Sequence, residues 1–300
     1  MKVLITGGAG FIGSHLADEF IKMGSQVTII DNLSTGKREN INPAIYHWNE
    51  DLNNISVKDL IPMLKDVKYV FHLAAKTSVE ESIQDPSSYI KHNLIGMVNL
   101  LTACHKAGVS KFIFSSSSSI YGDPDELPTS ENCKTNCISA YALSKEMGED
   151  LCKMFSKVHG LNTISLRYFN VYGDRMNEEG AYKLVIPIFS ELIKQGKPCT
   201  ITNNGEQSRD FINVKDVVQA NISVAIDHQT KPGDVYNVGS GENYTVNKIA
   251  DMLGGVKTYG EERIEPFETL ANISKITEEI GWKPQISFSD WINEYKKTII

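Results

Sequence analysis

Apolar and polar positions alternate along this chain in two rhythms. Short runs rich in β-branched and aromatic residues lie at 2–6, 26–31, 45–47, 69–73, 111–115 and 163–167. Between them, 12–22, 89–107 and 140–158 carry apolar residues at three-to-four spacing, the period of an amphipathic helix. Such alternation predicts an α/β fold, a doubly wound parallel sheet with helices on both faces. Beyond Gly173 the rhythm breaks up. The pattern there predicts a helix over 185–195, a strand-like piece at 198–201, a polar turn at 203–208, a strand at 210–214 and a last helix near 288–297.

Composition narrows the class. A net charge of −7 leaves no basic footprint for nucleic acid or an anionic membrane. No apolar run approaches the ~18 residues of a bilayer span. Only three apolar residues precede the first glycine cluster, too few for a signal-peptide core, so a cytoplasmic location is expected. The five cysteines are odd in number and scattered, which suits reduced thiols better than disulfides. Cys133 and Cys137 lack a second pair or a histidine at ligand spacing, so no metal site is expected.

Candidate chemistry starts at Gly7-Gly8-Ala9-Gly10-Phe11-Ile12-Gly13, between the first predicted strand and the first predicted helix. Gly7 permits a tight turn, Gly10 lets backbone approach a pyrophosphate, and Gly13 allows close helix–strand packing. Phosphates would then meet the positive end of the helix. A glycine triplet alone is weak, but strand before and helix after supply the confirming context. Asp31 ends the second strand, where an acid can bind the adenosine ribose hydroxyls. Its carboxylate would repel a 2′-phosphate, so NAD is favoured over NADP. Lys37 and Arg38 argue the other way but sit further on, as solvated loop charge. A Rossmann domain is expected from 1–170 plus about 207–232, and a smaller C-terminal substrate-binding lobe from 171–206 plus about 233–300.

A second constellation lies at Tyr141-Ala142-Leu143-Ser144-Lys145. Positions i and i+4 share a helix face, so the Lys145 ammonium can lie near the Tyr141 phenol. A free tyrosine, with a pKa of ~10, is a poor base at neutral pH, and a neighbouring cation favours the phenolate. The serine run 115–119 follows an apolar strand and precedes Ile120-Tyr121-Gly122. It therefore marks the carboxyl end of a sheet strand, where open α/β sheets bind ligands. Ser117 there could share a proton with Tyr141 and a substrate oxygen.

With these motifs together, the chain resembles an extended short-chain dehydrogenase/reductase of the NAD-dependent epimerase/dehydratase family, and within it the UDP-glucose 4-epimerase group. The resemblance also rests on 31–36, Asp51-Leu52, 72–75, Asn93, the Arg167–Gly173 run and the Arg209–Val214 run. It implies a cofactor site of Gly7, Gly10, Phe11, Ile12, Gly13, Asp31, Asn32, Thr35, Gly36, Asp51, Leu52, Leu73, Ala74, Ala75 and Asn93. Asp51 and Leu52 would touch adenine, Lys145 the nicotinamide ribose, and Tyr141 and Tyr168 the ring's surroundings. Ser117, Tyr141 and Lys145 would be catalytic. Asn170 and Arg209 would hold a sugar-nucleotide diphosphate, with Arg263 as a second ligand and Thr77, Ser118, Val185, Thr200 and Thr269 completing the substrate site. Helices 89–107 and 140–158 resemble the pair that family members join into a homodimeric four-helix bundle.

The residues after the catalytic hydroxyl separate the family's reactions. Dehydrating relatives resemble Thr-Asp-Glu there, and decarboxylating ones carry a glutamate before the Ile/Val-Tyr-Gly. Ser118 and Ser119 occupy these places and supply no extra acid–base pair. What remains needs only tyrosine, serine, lysine and NAD: a nucleotide-sugar 4-epimerase, UDP-linked by analogy with the family, working on a hexose or N-acetylhexosamine through a 4-keto intermediate. A dehydrogenase or reductase with exchangeable NAD stays open, as does a catalytically silent NAD- or sugar-nucleotide-binding regulator.

Overall fold

The β-branched runs do become strands, and the amphipathic stretches between them become the helices that cover those strands. The structure is a computed structural model describing residues 1–176, 184–262 and 265–299. The first half runs β1 (Lys2–Thr6), α1 (Phe11–Lys22), β2 (Gln26–Ile30), β3 (Tyr46–Trp48), α2 (Val57–Met63), β4 (Val67–His72), α3 (Val79–Gln84), α4 (Pro86–Ala107), β5 (Lys111–Ser117), α5 (Ala140–His159) and β6 (Thr163–Tyr168). The second half runs β7 (Asn170–Tyr172), α6 (Val185–Lys194), β8 (Cys199–Ile201), β9 (Ser208–Asn213), α7 (Val214–Ile226), β10 (Asp234–Val238), β11 (Asn243–Thr245), α8 (Val246–Leu253), β12 (Lys257–Tyr259), α9 (Ser274–Ile280) and α10 (Phe288–Lys296).

Seven strands form one parallel sheet in the order β3-β2-β1-β4-β5-β6-β10. The order reverses between β1 and β4, which opens a crevice at the strands' carboxyl ends. One face packs Ile5, Ile29 and Phe71 against Leu16 and Phe20 of α1 and Val217 and Val224 of α7. The other packs Leu4, Val70 and Phe112 against Leu60 of α2, Leu100 of α4 and Cys152 of α5. This is the doubly wound α/β fold that the alternation predicts.

The lobe boundary follows a different line from the expected one. Helix α7 returns to the large sheet, as the pattern suggests. Strand β9 does not: it pairs with β7 and β11 in a separate three-stranded sheet. Conversely β10, within the stretch expected in the substrate lobe, is the seventh strand of the large sheet. Tyr236 and Val238 are fully buried there, so β10 gains an apolar seat no local pattern announces. The second lobe has its own core, in which Tyr172, Ile186, Phe189, Ile201, Phe211, Ile249 and Phe288 meet.

Local signals fix the helix that carries the candidate catalytic residues. Ser139 caps α5, its hydroxyl accepting from Ala142 N at 3.1 Å, an interaction worth ~1 kcal/mol. Gly160 ends the helix in the left-handed region at φ 69°, which glycine adopts without a Cβ penalty. Gly148 lets α5 lie against β5, since a Cβ there would come within 2.4 Å of Phe114 Cζ.

Candidate active site

The glycine loop between β1 and α1 is tightly constrained. Gly7 has φ 70°, and a Cβ on it would fall 2.8 Å from Ala74 N. A Cβ on Gly13 would fall 2.2 Å from Gly7 O, so the first turn of α1 presses on the loop. Gly10 caps α1 with no side-chain hydrogen bond, and Phe11 and Ile12 begin the helix. The helix's leading N–H groups thus stay unspent on a side-chain cap, as a pyrophosphate site requires. Thr35 lies with Gly10 and Phe11 along one cavity of about 380 Å³.

Asp31 is buried at the end of β2 and braces this loop. One carboxylate oxygen accepts from Ala9 N at 2.9 Å, the other from Leu33 N at 2.8 Å. Gly36 passes close by, where a Cβ would approach Asp31 Oδ1 to 2.9 Å. Asn32 donates to Asp51 at 3.1 Å, and Asp51 also accepts from Asn53 N and Nδ2. Burial opposes the charge on Asp51, but these hydrogen bonds prevail and hold its carboxyl below the usual carboxylate range. Leu52 packs into the core against Gly96. Leu73, Ala74 and Ala75 follow β4; Leu73 N and Ala74 N donate to Thr6 O and Oγ1, both at 3.2 Å. Together these groups fit a dinucleotide.

Two expected cofactor contacts have other occupations. Asn93 Oδ1 accepts from Lys76 N at 2.8 Å, while Nδ2 donates to Lys76 O at 3.1 Å and Ser144 Oγ at 2.9 Å. Ser144 in turn donates to Tyr141 O at 2.7 Å. Asn93 therefore steadies the first turn of α5. Tyr168 points its hydroxyl inward, to Asn221 Oδ1 at 2.9 Å and Ser115 Oγ at 3.1 Å, and burial pushes its phenol up to about 12.

Helix α5 brings Tyr141 and Lys145 to the end of β5. Lys145 Nζ donates to Ser115 O at 2.7 Å and lies 5.8 Å from the Tyr141 ring centroid and 5.1 Å from that of Phe114. Ser117 is two residues further along the same strand, its hydroxyl accepting from Ser119 N at 3.2 Å. Ser118 opens the turn that follows. Burial pushes Lys145 down to about 8. Nearby His72 is stacked on Phe114 and hydrogen-bonded to Thr6; burial, helped by the Lys145 charge, pushes it down to about 3. Among the described residues Lys145 thus sets a cation beside the Tyr141 ring, and its ammonium is held by a carbonyl.

The second lobe supplies the mouth. Arg209 of β9 does not stand open: its Nη2 donates to Glu265 Oε2 at 2.5 Å and Nη1 to Ser208 O at 2.8 Å. Asn170 donates to Asp210 O at 3.1 Å. Thr269 lies beside β9, with its N donating to Ser208 O at 3.1 Å and its hydroxyl accepting from Asp210 N at 3.4 Å. Val185 starts α6, whereas Thr77 and Thr200 are exposed. Arg263 lies outside the described residues. Sequence reasoning missed Glu265 and Asp210. The fully buried Asp210 carboxylate gathers Ser240 N, Gly241 N and Ala271 N and ties the strand bearing Arg209 to the segment bearing Thr269. A charged residue beside Arg209 in an apolar strand was the available signal.

Fold and site together define a nicotinamide-dinucleotide enzyme with a tyrosine–lysine helix beside a serine strand end. The chain belongs to the NAD-dependent epimerase/dehydratase family, whose pattern matches residues 3–239. A putative UDP-glucose 4-epimerase of Methanocaldococcus jannaschii is 35% identical, over 97% of this chain and 95% of that one. Among solved structures, the UDP-glucose 4-epimerase of Thermotoga maritima with UDP-glucose superposes with a TM-score of 0.93 at 34% identity, covering all of both chains. A UDP-N-acetylglucosamine 4-epimerase of Methanobrevibacter ruminantium, in complex with UDP-N-acetylmuramic acid, gives a TM-score of 0.91 at 40% identity over 99% of this chain and 97% of that one.

Proposed function

We propose that this protein is an NAD-dependent UDP-sugar 4-epimerase. The observation that carries the reading is the docking of Lys145 onto β5 beside Tyr141, with only hydroxyls following Ser117. NAD, when bound, would supply the hydride acceptor and donor. Tyr141, as phenolate beside the Lys145 ammonium, takes the proton of the sugar's C4 hydroxyl, and Ser117 hydrogen-bonds the same oxygen. Once the 4-keto sugar has turned in the pocket, so that the other face of C4 takes the hydride back, Tyr141 returns the proton to the C4 oxygen. Ser118 and Ser119 offer no second acid–base pair, so elimination has no agent.

Asp31 and the glycine loop hold the dinucleotide, and Arg209 and Asn170 bind the substrate's diphosphate side. The test is mass spectrometry of UDP-glucose, UDP-N-acetylglucosamine and UDP-glucuronate incubated with purified protein. The 4-epimer without net NADH is expected, whereas stoichiometric NADH would make it a dehydrogenase.

The chain further acts as a homodimer in this reading. Leu143, Met147, Met154 and Val158 of α5 are exposed, as are Ile95 and Val98 of the neighbouring α4. Their spacing makes apolar stripes along two packed helices. Sedimentation showing only monomer at micromolar concentration would refute it. Among the described residues no helix is long and apolar enough to cross a membrane, and all five cysteines are free, in keeping with a cytoplasmic site of action.

A further inference from the structure

Beneath the serine strand end lies an ion pair that the mechanism above does not use. Arg167 of β6 and Glu149 of α5 are 4% and 1% exposed. Arg167 Nε donates to Glu149 Oε1 at 2.9 Å and Nη2 to Oε2 at 2.7 Å, a bidentate fork. Ser116 Oγ donates to Glu149 Oε1 at 2.6 Å. The remaining Arg167 nitrogen, Nη1, donates to Tyr121 OH at 2.7 Å and Glu131 O at 3.1 Å. Tyr121 OH then donates to Asn237 Oδ1 at 2.7 Å, and Asn237 Nδ2 holds the carbonyls of Thr129 at 2.9 Å and Asn272 at 3.2 Å.

Stability alone does not account for such a group. Desolvating two charges is expensive, and apolar residues of similar volume often serve a core equally well or better. Its placement is more informative. Lys145 and Glu149 are one turn apart on α5 and share a face. They grip consecutive residues of β5: Lys145 the Ser115 carbonyl, Glu149 the Ser116 hydroxyl. Ser117 comes next. From the other side, Arg167 grips Tyr121, where the turn after the serines ends. Helix and serine loop are thus both fastened to one guanidinium.

We propose that Glu149 and Arg167 are positioning residues for the epimerisation step, setting the register of α5 against the serine loop and so the approach of Tyr141 and Lys145 to Ser117. Both are sealed from the open face of the site and act through the residues that they hold. The proposal rests on the catalytic roles of Tyr141 and Ser117 given above.

Its test uses the NAD-loaded enzyme. Glu149→Gln alone leaves a buried guanidinium facing a neutral partner and is at risk of misfolding, so the main variant is the apolar pair Glu149→Met with Arg167→Met. Ser116→Ala, which spares the fork, is the second variant. The double variant is expected to keep its bound NAD and a near-native Tm, while kcat falls about 10–100-fold with KM little changed, the loss that a displacement of ~1 Å produces. Ser116→Ala should lose kcat in the same manner, to a smaller extent.

The kcat–pH profile separates positioning from scaffolding. Among the described residues, the titratable groups facing Lys145 are His72 on β4 and Tyr141 on its own helix, with Glu149 one turn further along α5. A displaced Lys145 no longer favours the Tyr141 phenolate, so the acid limb of kcat should move to higher pH. Wild-type kcat and an unmoved acid limb in a folded double variant would overturn the proposal. Should that variant not fold, the same result in Ser116→Ala would do so. Wild-type turnover and its loss in Tyr141→Phe are measured alongside; if these controls fail, it is the epimerase reading that falls.

Discussion

Two arginine–carboxylate pairs bracket the site and differ in what surrounds them. At the floor, Arg167 and Glu149 are sealed from water at 5% and 2% side-chain exposure, with both carboxylate oxygens held. At the mouth, Arg209 and Glu265 keep 15% and 29%. Among the described residues, the second Glu265 oxygen collects 3.3 Å contacts from Thr202, Asn203 and Gln207. A sealed pair cannot change partners without opening the core, whereas a pair at the surface can trade its carboxylate for a phosphate. Under the proposed mechanism, the comparison predicts a division of labour in which the floor governs kcat and the mouth governs KM.

The sharpest way to break that division is at Tyr141. Tyr141→Phe should lower kcat by ~10²–10⁴-fold, the usual worth of a general acid–base group, with KM for the UDP-sugar little altered. Steady-state kinetics that put the loss in KM instead would dissolve the distinction. At the mouth the opposite split is expected. Arg209→Met removes hydrogen bonds to a charged group, worth ~1.5–3 kcal/mol, so KM should rise by roughly 10–100-fold while the first-turnover rate at saturation stays near wild type.

Thr269→Tyr probes the mouth sterically. If Thr269 borders the sugar, the bulkier ring should cut turnover of UDP-N-acetylglucosamine by about tenfold, the scale of a crowded apolar pocket, and spare UDP-glucose. Equal losses on both sugars would remove Thr269 from the pocket wall.

Lys145 offers a pH test of the floor. Its ammonium, pushed down to about 8 by burial, is lost as pH rises through that value, so kcat should decline above it. In the unfolded chain the same group titrates near ~10.4. Between these values the unfolded state binds more protons, and this residue's contribution to stability therefore rises with pH. Activity and stability should part company in that window, a divergence that Lys145→Met abolishes in paired kcat and Tm profiles.

The smallest expected effect is at Glu265. Replacing it by Gln frees Arg209 from a competing charge and should lower KM a few-fold, within the ~0.5–1.5 kcal/mol of one exchanged interaction. An increase in KM would mean that Glu265 itself binds the substrate.

How legible each region was follows from the range of the interactions that build it. The glycine loop, Asp31, and the Tyr141/Lys145 pair are local: strand, turn and helix signals stand within a few residues of one another, and backbone sterics at Gly7 and Gly13 demand those residue types in that order. Partners of Arg209 and Arg167 are not local, lying 56 and 18 residues away. A charge in a strand advertises that it needs a counter-charge but not which one. The homologous pattern named Arg209 as a ligand; it did not reveal that the free chain already holds it with Glu265.

From the sequence by itself came the doubly wound sheet, the dinucleotide loop and the tyrosine–lysine helix, because each rests on periodicity or on contacts a few residues apart; the class of chemistry came from the family resemblance that these motifs carry. Only the tertiary structure decided that β10 completes the large sheet while β9 leaves it. It alone turned the Tyr168 hydroxyl inward and gave the Asn93 amide to Ser144. It alone placed Glu149 where one carboxylate serves both Ser116 and Arg167. Those outcomes depend on which apolar faces find each other across the sheet, and on the demand that every buried polar group have a partner, neither of which is written in the local order of residues.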